Sequence, residues 1–142
     1  MRKQKDKLIL VVEDDDTLRL LISKQLQRLG FAAQLAANGT EAISLFSTGS
    51  YSMILMDIQM PKVDGFEATS AIREIETKEK RHRIPIVAVT ANPDKKSCFE
   101  RGMDDFIFKP VMLPELEVLL RRWLPGANNF QNPAKSTSKS AT

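Results

Sequence analysis

The sequence predicts a single α/β domain in which five parallel strands alternate with five helices, with helices on both faces of the sheet. Five short apolar runs recur along the chain, and four are nearly continuous, which is typical of strands buried on both faces. Segments with the 3.6-residue apolar spacing of helices lie between them. Since parallel neighbours need right-handed crossovers, this (βα)5 order gives a doubly wound sheet.

The strands are predicted at the runs LILVV, FAAQLA, MILM, IPIVAV and FIF, which are residues 8–12, 31–36, 53–56, 84–89 and 106–108. The first helix follows the first run, and Asp16 or Thr17 is expected to cap its start. Gly30 is placed to end it, because glycine adopts the left-handed conformation of a C-terminal cap. Its apolar positions share one face: Leu18, Leu21, Ile22, Leu26 and Leu29.

Four further helices are predicted, at 39–46, at 66–75, from the triplet Asn92-Pro93-Asp94 to Gly102, and at 113–124. Proline suits the first turn of the fourth helix, because the N–H that it lacks would have no partner there. The last helix places its apolar residues on one side: Leu116, Leu119, Leu120, Trp123 and Leu124.

The two ends of the chain differ from the predicted domain at 8–124. Residues 1–7 form a basic extension, and residues 125–142 are rich in Ser, Asn, Ala and Pro, which predicts a disordered tail or linker. Much of the net charge of +3 lies at these ends. We therefore expect solubilising termini rather than a face that binds nucleic acid directly.

The composition limits the classes of protein further. With 42% hydrophobic and 27% charged residues, and no apolar run of membrane-spanning length, we expect a globular chain with no membrane segment. The apolar run after the basic start is too short for a secretory signal, so we expect a cytoplasmic protein. The single cysteine (Cys98) and single histidine (His82) exclude an internal disulfide and a zinc site of four N/S ligands.

Polar residues follow or end four of the predicted strands. Glu13 and Asp14 follow the first, Asp57 ends the third, Thr90 ends the fourth and Lys109 follows the fifth. The carboxyl ends of the strands form the site in sheets of this kind, so we expect these side chains to meet.

This set of residues favours phosphoryl transfer. Crowded carboxylates need a cation, and Mg²⁺ prefers oxygen ligands beside a phosphate. Asp57 is a candidate nucleophile because a carboxylate can form an acyl phosphate. Lys109 supplies a positive charge and Thr90 a hydroxyl donor for phosphoryl oxygens. Each residue alone has an ordinary explanation, such as a helix cap, a turn or a solvated lysine, but their joint placement favours a site.

The stretches VVEDDDTLR, DIQMPKVDGFEA, VAVTA and GMDDFIFKP resemble the receiver domains of the response-regulator family of two-component signalling. The resemblance covers residues 8–124. Within the family, the stretches DIQMPKVDG and GMDDFIFKP most resemble receivers of hybrid histidine kinases. It implies a flavodoxin-like fold with strand order 2-1-3-4-5. It implies that Asp57 is the phosphoacceptor, that Lys109 binds the phosphoryl group, and that Mg²⁺ is held by Glu13, Asp14, Asp57 and the backbone carbonyl of Gln59.

The family resemblance also implies a switch. Thr90 takes the place of the switch hydroxyl and Phe106 that of the switch aromatic, where many members have Tyr. The Lys109–Pro110 bond is expected to be cis. Gln59 and Asn92 occupy the positions that tune dephosphorylation.

The partner implied by the resemblance is a histidine kinase or histidine phosphotransfer domain, which donates the phosphoryl group. The first helix would dock that donor, with Gln25 on its exposed side. Beyond self-phosphorylation and slow autophosphatase activity, no enzymatic turnover is expected. The chain is expected to be free-standing or part of a larger hybrid histidine kinase.

Three other functions are open to a chain of this pattern. A haloacid-dehalogenase-like phosphohydrolase would need a second Asp two residues after the nucleophile, where this chain has Gln59. A flavodoxin-type module would need a phosphate-binding loop after strand one, where this chain has EDDD. A docking pseudo-receiver that is never phosphorylated would lack the acceptor or the acidic pair, and both are present.

Overall fold

The computed structural model describes residues 8–60, 63–92 and 94–125. The strands are β1 Leu8–Val12, β2 Ala32–Ala36, β3 Met53–Asp57, β4 Ile86–Thr90 and β5 Asp105–Phe108. The helices are α1 Asp16–Arg28, α2 Gly39–Thr48, α3 Gly65–Lys78, α4 Lys95–Glu100 and α5 Leu113–Trp123. The predicted alternation of five strands and five helices is confirmed.

All five strands lie in one parallel sheet of order β2-β1-β3-β4-β5, which confirms the predicted topology. The order changes direction at β1, because the chain adds β2 on one side of it and β3 on the other. The crossover from β1 to β2 through α1 and the crossover from β2 to β3 through α2 lie on opposite faces of the sheet. A crevice is expected where they part, at the carboxyl ends of β1 and β3. This crevice is where the candidate site lies.

Alternate strand residues enter two separate apolar cores. Val11 and Leu55 face the core formed with α1 and α5, where Leu26 and Leu120 are fully buried. Residues one position along, such as Ile54, face the core formed with α2, α3 and α4. Every residue of β3 and β4 is buried, as expected for strands covered on both faces.

Two predicted helix starts differ from the structure. Asp15, and not Asp16 or Thr17, caps α1, because its side chain accepts a hydrogen bond from the Leu18 N–H at 3.0 Å. A run of three aspartates offers several caps, and the one used keeps an extended backbone before the first turn. Asp94 caps α4, which begins at Lys95, and the proline before it lies outside the described residues.

Of the helices that the structure describes, none is long and apolar enough to cross a membrane. The predicted basic extension at 1–7 and most of the predicted tail at 125–142 lie outside the described residues. The domain limits therefore remain predictions.

Candidate functional site

The predicted site residues come from the carboxyl ends of β1, β3, β4 and β5. Asp57 is the last residue of β3 and pairs in register with Val89 of β4, next to Thr90. Glu13 follows β1, and its N–H donates to the Ala36 carbonyl at the end of β2. The Lys109 N–H donates to the Thr90 carbonyl at 2.9 Å, which ties the loop after β5 to β4.

Three carboxylates meet in the crevice. Glu13, Asp14 and Asp57 each place an oxygen within 4.8 Å of the other two. Glu13 is only 2% exposed and Asp57 only 1%, whereas Asp14 lies at the surface. The cluster thus joins two buried carboxylates to one at the surface.

Lys109 forms an ion pair with each of the two buried acids. Its Nζ donates to Asp57 Oδ1 at 3.1 Å and lies 3.6 Å from Glu13 Oε1. The Gln59 N–H also donates to Asp57 Oδ1, at 3.1 Å, and the Asp15 N–H donates to Glu13 Oε2, at 3.1 Å. One oxygen of each buried acid is therefore held by the protein.

The second oxygen of each buried acid is left over. Glu13 Oε1 and Asp57 Oδ2 are buried and have no hydrogen-bond partner among the described residues. A buried carboxylate oxygen without a partner is costly, and one lysine does not neutralise three carboxylates. Hard oxygen donors in this number fit a divalent cation such as Mg²⁺, which binds one or two carboxylates and keeps several waters.

Burial dominates the protonation of the cluster. It raises the pKa of Glu13 from 4.5 to about 7, helped by the Asp57 charge and opposed by the Asp15 N–H and by Lys109. Burial also raises the pKa of Asp57, against the hydrogen bond and charge of Lys109. Burial alone would lower the pKa of Lys109, but its bond to Asp57 and the nearby negative charges raise it. The acids are thus held in a place that disfavours their charge.

The residues expected to form the switch lie on β4 and β5, the two strands that follow β3 in the sheet. Thr90 is 4% exposed, and its Oγ1 accepts a hydrogen bond from the Asn92 N–H at 3.1 Å. The Phe106 ring packs edge-on against Phe108 with centroids 5.7 Å apart, and the Lys95 Nζ lies 5.2 Å from its centroid. Phe106 is half-buried on β5, opposite Ala88 of β4. The bond between Lys109 and Pro110 is cis.

Gly65 is a positioning residue that the sequence reasoning missed. A Cβ at Gly65 would lie 2.4 Å from the Asp57 carbonyl oxygen and 2.8 Å from the Ile58 Cα. The first turn of α3 therefore packs directly on the backbone that carries Asp57. The signal was present in the sequence as DGFE, because Asp64 and Glu67 form the capping box that starts α3 at this glycine.

Arg19 was missed as well. Its Nη1 donates to the Glu13 carbonyl at 2.7 Å, and its other nitrogen pairs with Asp16. This contact fixes the loop after β1 from the side of α1. A lone arginine on a helix gave no sequence signal for such a role.

The structure corrects the expected exposed side of α1. Gln25 is half-buried, and its Nε2 donates to the Val111 carbonyl at 2.9 Å. The exposed apolar residues are instead Leu20, at 53%, and Leu21, at 43%. The wrong assignment arose because glutamine is usually a surface residue and the partner lies 86 positions away.

Comparison with known protein families gives one match over most of the chain. Residues 9–121 match the family described as the response regulator receiver domain. Among curated proteins, the hybrid signal transduction protein dokA of Dictyostelium discoideum is 40% identical over 135 residues, which cover 95% of this chain and 8% of that protein. The chain spans less than a tenth of the length of this relative and of two further hybrid kinases of that organism.

Solved structures give the same result. One match is the receiver domain of the sensor histidine kinase PA1611 from Pseudomonas aeruginosa, solved with magnesium in its active-site cleft. The TM-score is 0.75 and the sequence identity is 37%. The aligned region covers 84% of this chain and 98% of that structure. A second match is the Saccharomyces cerevisiae co-crystal structure of the phosphotransfer protein Ypd1 with the receiver domain of Ssk1. The TM-score is 0.77 and the identity is 30%. The aligned region covers 87% of this chain and 92% of that chain.

Proposed function

The chain belongs to the receiver-domain family of response regulators, and on that premise we propose that Asp57 is its phosphoryl acceptor. The domain is a receiver of a two-component phosphorelay. The observation that supports Asp57 most strongly is its Oδ2, which is buried in the crevice with no hydrogen-bond partner among the described residues while Lys109 and Gln59 hold Oδ1. One oxygen is oriented and the other is free to react.

The proposed reaction is a transfer between two side chains. Asp57 Oδ2 attacks the phosphorus of a phosphohistidine, an O–P bond forms, and the N–P bond breaks. The electron pair of that bond returns to the imidazole of the donor, which takes up a proton. The Lys109 ammonium, held 3.1 Å from Oδ1, is placed to stabilise charge on the transferring phosphoryl oxygens.

We propose that Glu13, Asp14, Asp57 and the Gln59 carbonyl hold the magnesium ion. The three carboxylates fit this role because one oxygen of each already converges and Glu13 Oε1 has no hydrogen-bond partner among the described residues. When bound, Mg²⁺ supplies charge neutralisation for the acids and for the phosphoryl oxygens. The protein contributes the orientation of Glu13 through the Asp15 N–H and through Arg19.

The switch is proposed to run from Asp57 through Thr90 to Phe106. A phosphoryl group adds charge and acceptor oxygens, which can attract the Thr90 hydroxyl from its place beside the Asn92 N–H. The space that the hydroxyl leaves beside β5 would be costly, so the half-buried Phe106 would turn inward to fill it. We expect Gln59 and Asn92 to set the lifetime of the phosphoryl group.

The partners and setting of the whole protein are further proposals. We propose a histidine kinase or histidine phosphotransfer domain as donor, and a place within a larger hybrid histidine kinase as one setting for the domain at 8–124. We expect self-phosphorylation and slow autophosphatase activity but no turnover of outside substrates. A cytoplasmic location agrees with Cys98, a buried free thiol.

Intact-mass measurement tests the proposed acceptor. The protein is incubated with Mg²⁺ and acetyl phosphate, or with a phosphorylated histidine phosphotransfer domain. We expect the parent protein to gain one phosphoryl mass and Asp57→Asn to gain none. Asp64→Asn is a matched control, because Asp64 is a helix cap outside the cluster, and it should label like the parent.

Two results would contradict the proposal. Unchanged labelling of Asp57→Asn would place the acceptor elsewhere. Release of phosphate from a simple phosphate ester in many turnovers would instead favour the phosphohydrolase alternative, although Gln59 lacks the acid–base chemistry for it.

A further inference from the structure

The hydrogen bond between Gln25 and Val111 joins α1 to the loop that carries Lys109. Gln25 lies on α1, and its Nε2 donates to the Val111 carbonyl at 2.9 Å. Val111 is two residues after Lys109 and is 5% exposed. A side chain in the middle of one helix thus holds the loop that carries the site lysine.

We propose that Gln25 is a positioning residue that sets the place of Lys109 through the Val111 carbonyl. The inference rests on the proposed function, in which Lys109 stabilises the phosphoryl group. It extends that function from the strand ends to a helix residue with no contact to the acids.

The loop has two backbone anchors, one on each side of it. On one side the Lys109 N–H donates to the Thr90 carbonyl of β4 at 2.9 Å, and on the other Gln25 binds the Val111 carbonyl. The Val111 side chain belongs to the core formed with α1 and α5. The Gln25 hydrogen bond adds a directional contact to this packing, at the backbone of the loop.

The second observation is that glutamine carries a cost at this position. Gln25 Oε1 is buried and has no hydrogen-bond partner among the described residues. A methionine of similar length favours helix as strongly and would remove that unpaired oxygen, but it would leave the Val111 carbonyl without its donor. The donor to the Lys109 loop is therefore what glutamine supplies at this position and methionine cannot.

Gln25→Met tests the inference, with Gln27→Met as a matched control at an exposed position of the same helix. We expect Gln25→Met to stay folded with a Tm close to that of the parent, because the unpaired Gln25 Oε1 is exchanged for an unpaired Val111 carbonyl oxygen. Its affinity for beryllofluoride and its labelling rate with acetyl phosphate should fall roughly threefold to tenfold, the factor that one neutral hydrogen bond is worth. Its affinity for Mg²⁺ should not fall, because Lys109 is not a proposed metal ligand and a displaced Lys109 competes less with the cation for Asp57 and Glu13. Gln27→Met should match the parent throughout.

A double-mutant cycle shows whether the effect passes through Lys109. In a Lys109→Met background, Gln25→Met should cause no further loss of beryllofluoride affinity. An equal further loss would overturn the inference, as would a Gln25→Met variant that binds beryllofluoride like the parent. A parent protein that neither binds beryllofluoride nor labels would instead overturn the proposed function itself.

If Gln25→Met does not fold, NMR of the parent protein tests the inference instead. The Gln25 side-chain amide resonances should shift when beryllofluoride binds, and this shift should be lost in Lys109→Met. Amide resonances that do not respond in the parent would overturn the inference without any change at position 25.

Discussion

The backbone around Asp57 leaves no space for another carbon atom at Gly65. A Cβ there would lie 2.4 Å from the Asp57 carbonyl oxygen, and the opposing atoms are backbone, which cannot rotate away. Gly65→Ala should therefore push α3 from the end of β3, at a cost of about 1–3 kcal/mol in the free energy of unfolding, as overpacking does. Urea unfolding measures this cost.

Gly49→Ala is the matched control for Gly65→Ala. A Cβ there would lie 3.0 Å from the Tyr51 hydroxyl and 3.1 Å from the Leu45 carbonyl oxygen, which is a less severe approach than the one at Gly65. We expect it to lose less stability and to label with acetyl phosphate at the parent rate, whereas Gly65→Ala should label more slowly because Asp57 is displaced. Equal behaviour of the two variants would mean that the close approach at Gly65 does not position the site.

The link between β4 and β5 can be tested at Thr90. Thr90→Ala should still bind beryllofluoride, because Asp57 and Lys109 remain. Amide shift changes should stay near Asp57 and should not reach β5, α4 and α5, since the hydroxyl that couples the strands is gone. NMR spectra of parent and variant, with and without beryllofluoride, measure this.

Thr69→Ala is the control for a buried threonine outside the site. Thr69 is fully buried on α3, and its Oγ1 has no hydrogen-bond partner among the described residues. On binding beryllofluoride, Thr69→Ala should show the same amide shift changes at β5, α4 and α5 as the parent protein. A full distant response in Thr90→Ala as well would remove the hydroxyl from the mechanism.

The predicted elements show which information a sequence carries locally. Strands β3 and β4 were found because buried strands on both faces read as continuous apolar runs, although their ends differ by one or two residues. The Asp15 cap was missed because capping depends on the backbone at one position, and three adjacent aspartates offer the same side chain. The element type follows from periodicity, whereas its first residue does not.

The site residues divide in the same way. Glu13, Asp57 and Lys109 were predicted together because a parallel sheet brings all strand ends to one edge. Arg19 and Gln25 were not, because each acts through a backbone carbonyl, and any residue supplies a carbonyl. Contacts of this kind leave no pattern of residue types to detect.

Across the whole molecule, the acidic cluster should cost stability in the absence of metal. Burial raises the pKa of Asp57, so its charged form at neutral pH is less favourable in the folded chain than in the unfolded one. Asp57→Asn removes that charge and should raise the Tm in metal-free buffer by about 3–6 °C, which is roughly the shift for 1 kcal/mol in a domain of this size.

Magnesium should raise the Tm of the parent protein by mass action, and it should do so less in Asp57→Asn. Thermal unfolding with and without Mg²⁺ measures both effects, and Asp64→Asn serves as the control because that carboxylate lies outside the cluster. A Tm that responds to neither the substitution nor the metal would mean that the three carboxylates do not share one site.

The central claim is that Asp57 alone receives the phosphoryl group, and locating that group in the chain tests it most directly. Protein labelled with acetyl phosphate and Mg²⁺ is reduced with borohydride, which converts an aspartyl phosphate to homoserine, and its peptides are then sequenced by mass spectrometry. The account predicts homoserine at position 57 and at no other acidic position. Homoserine at position 14, 2-amino-5-hydroxyvaleric acid (the product from a glutamyl phosphate) at position 13, or labelled protein with no homoserine at position 57 would contradict it.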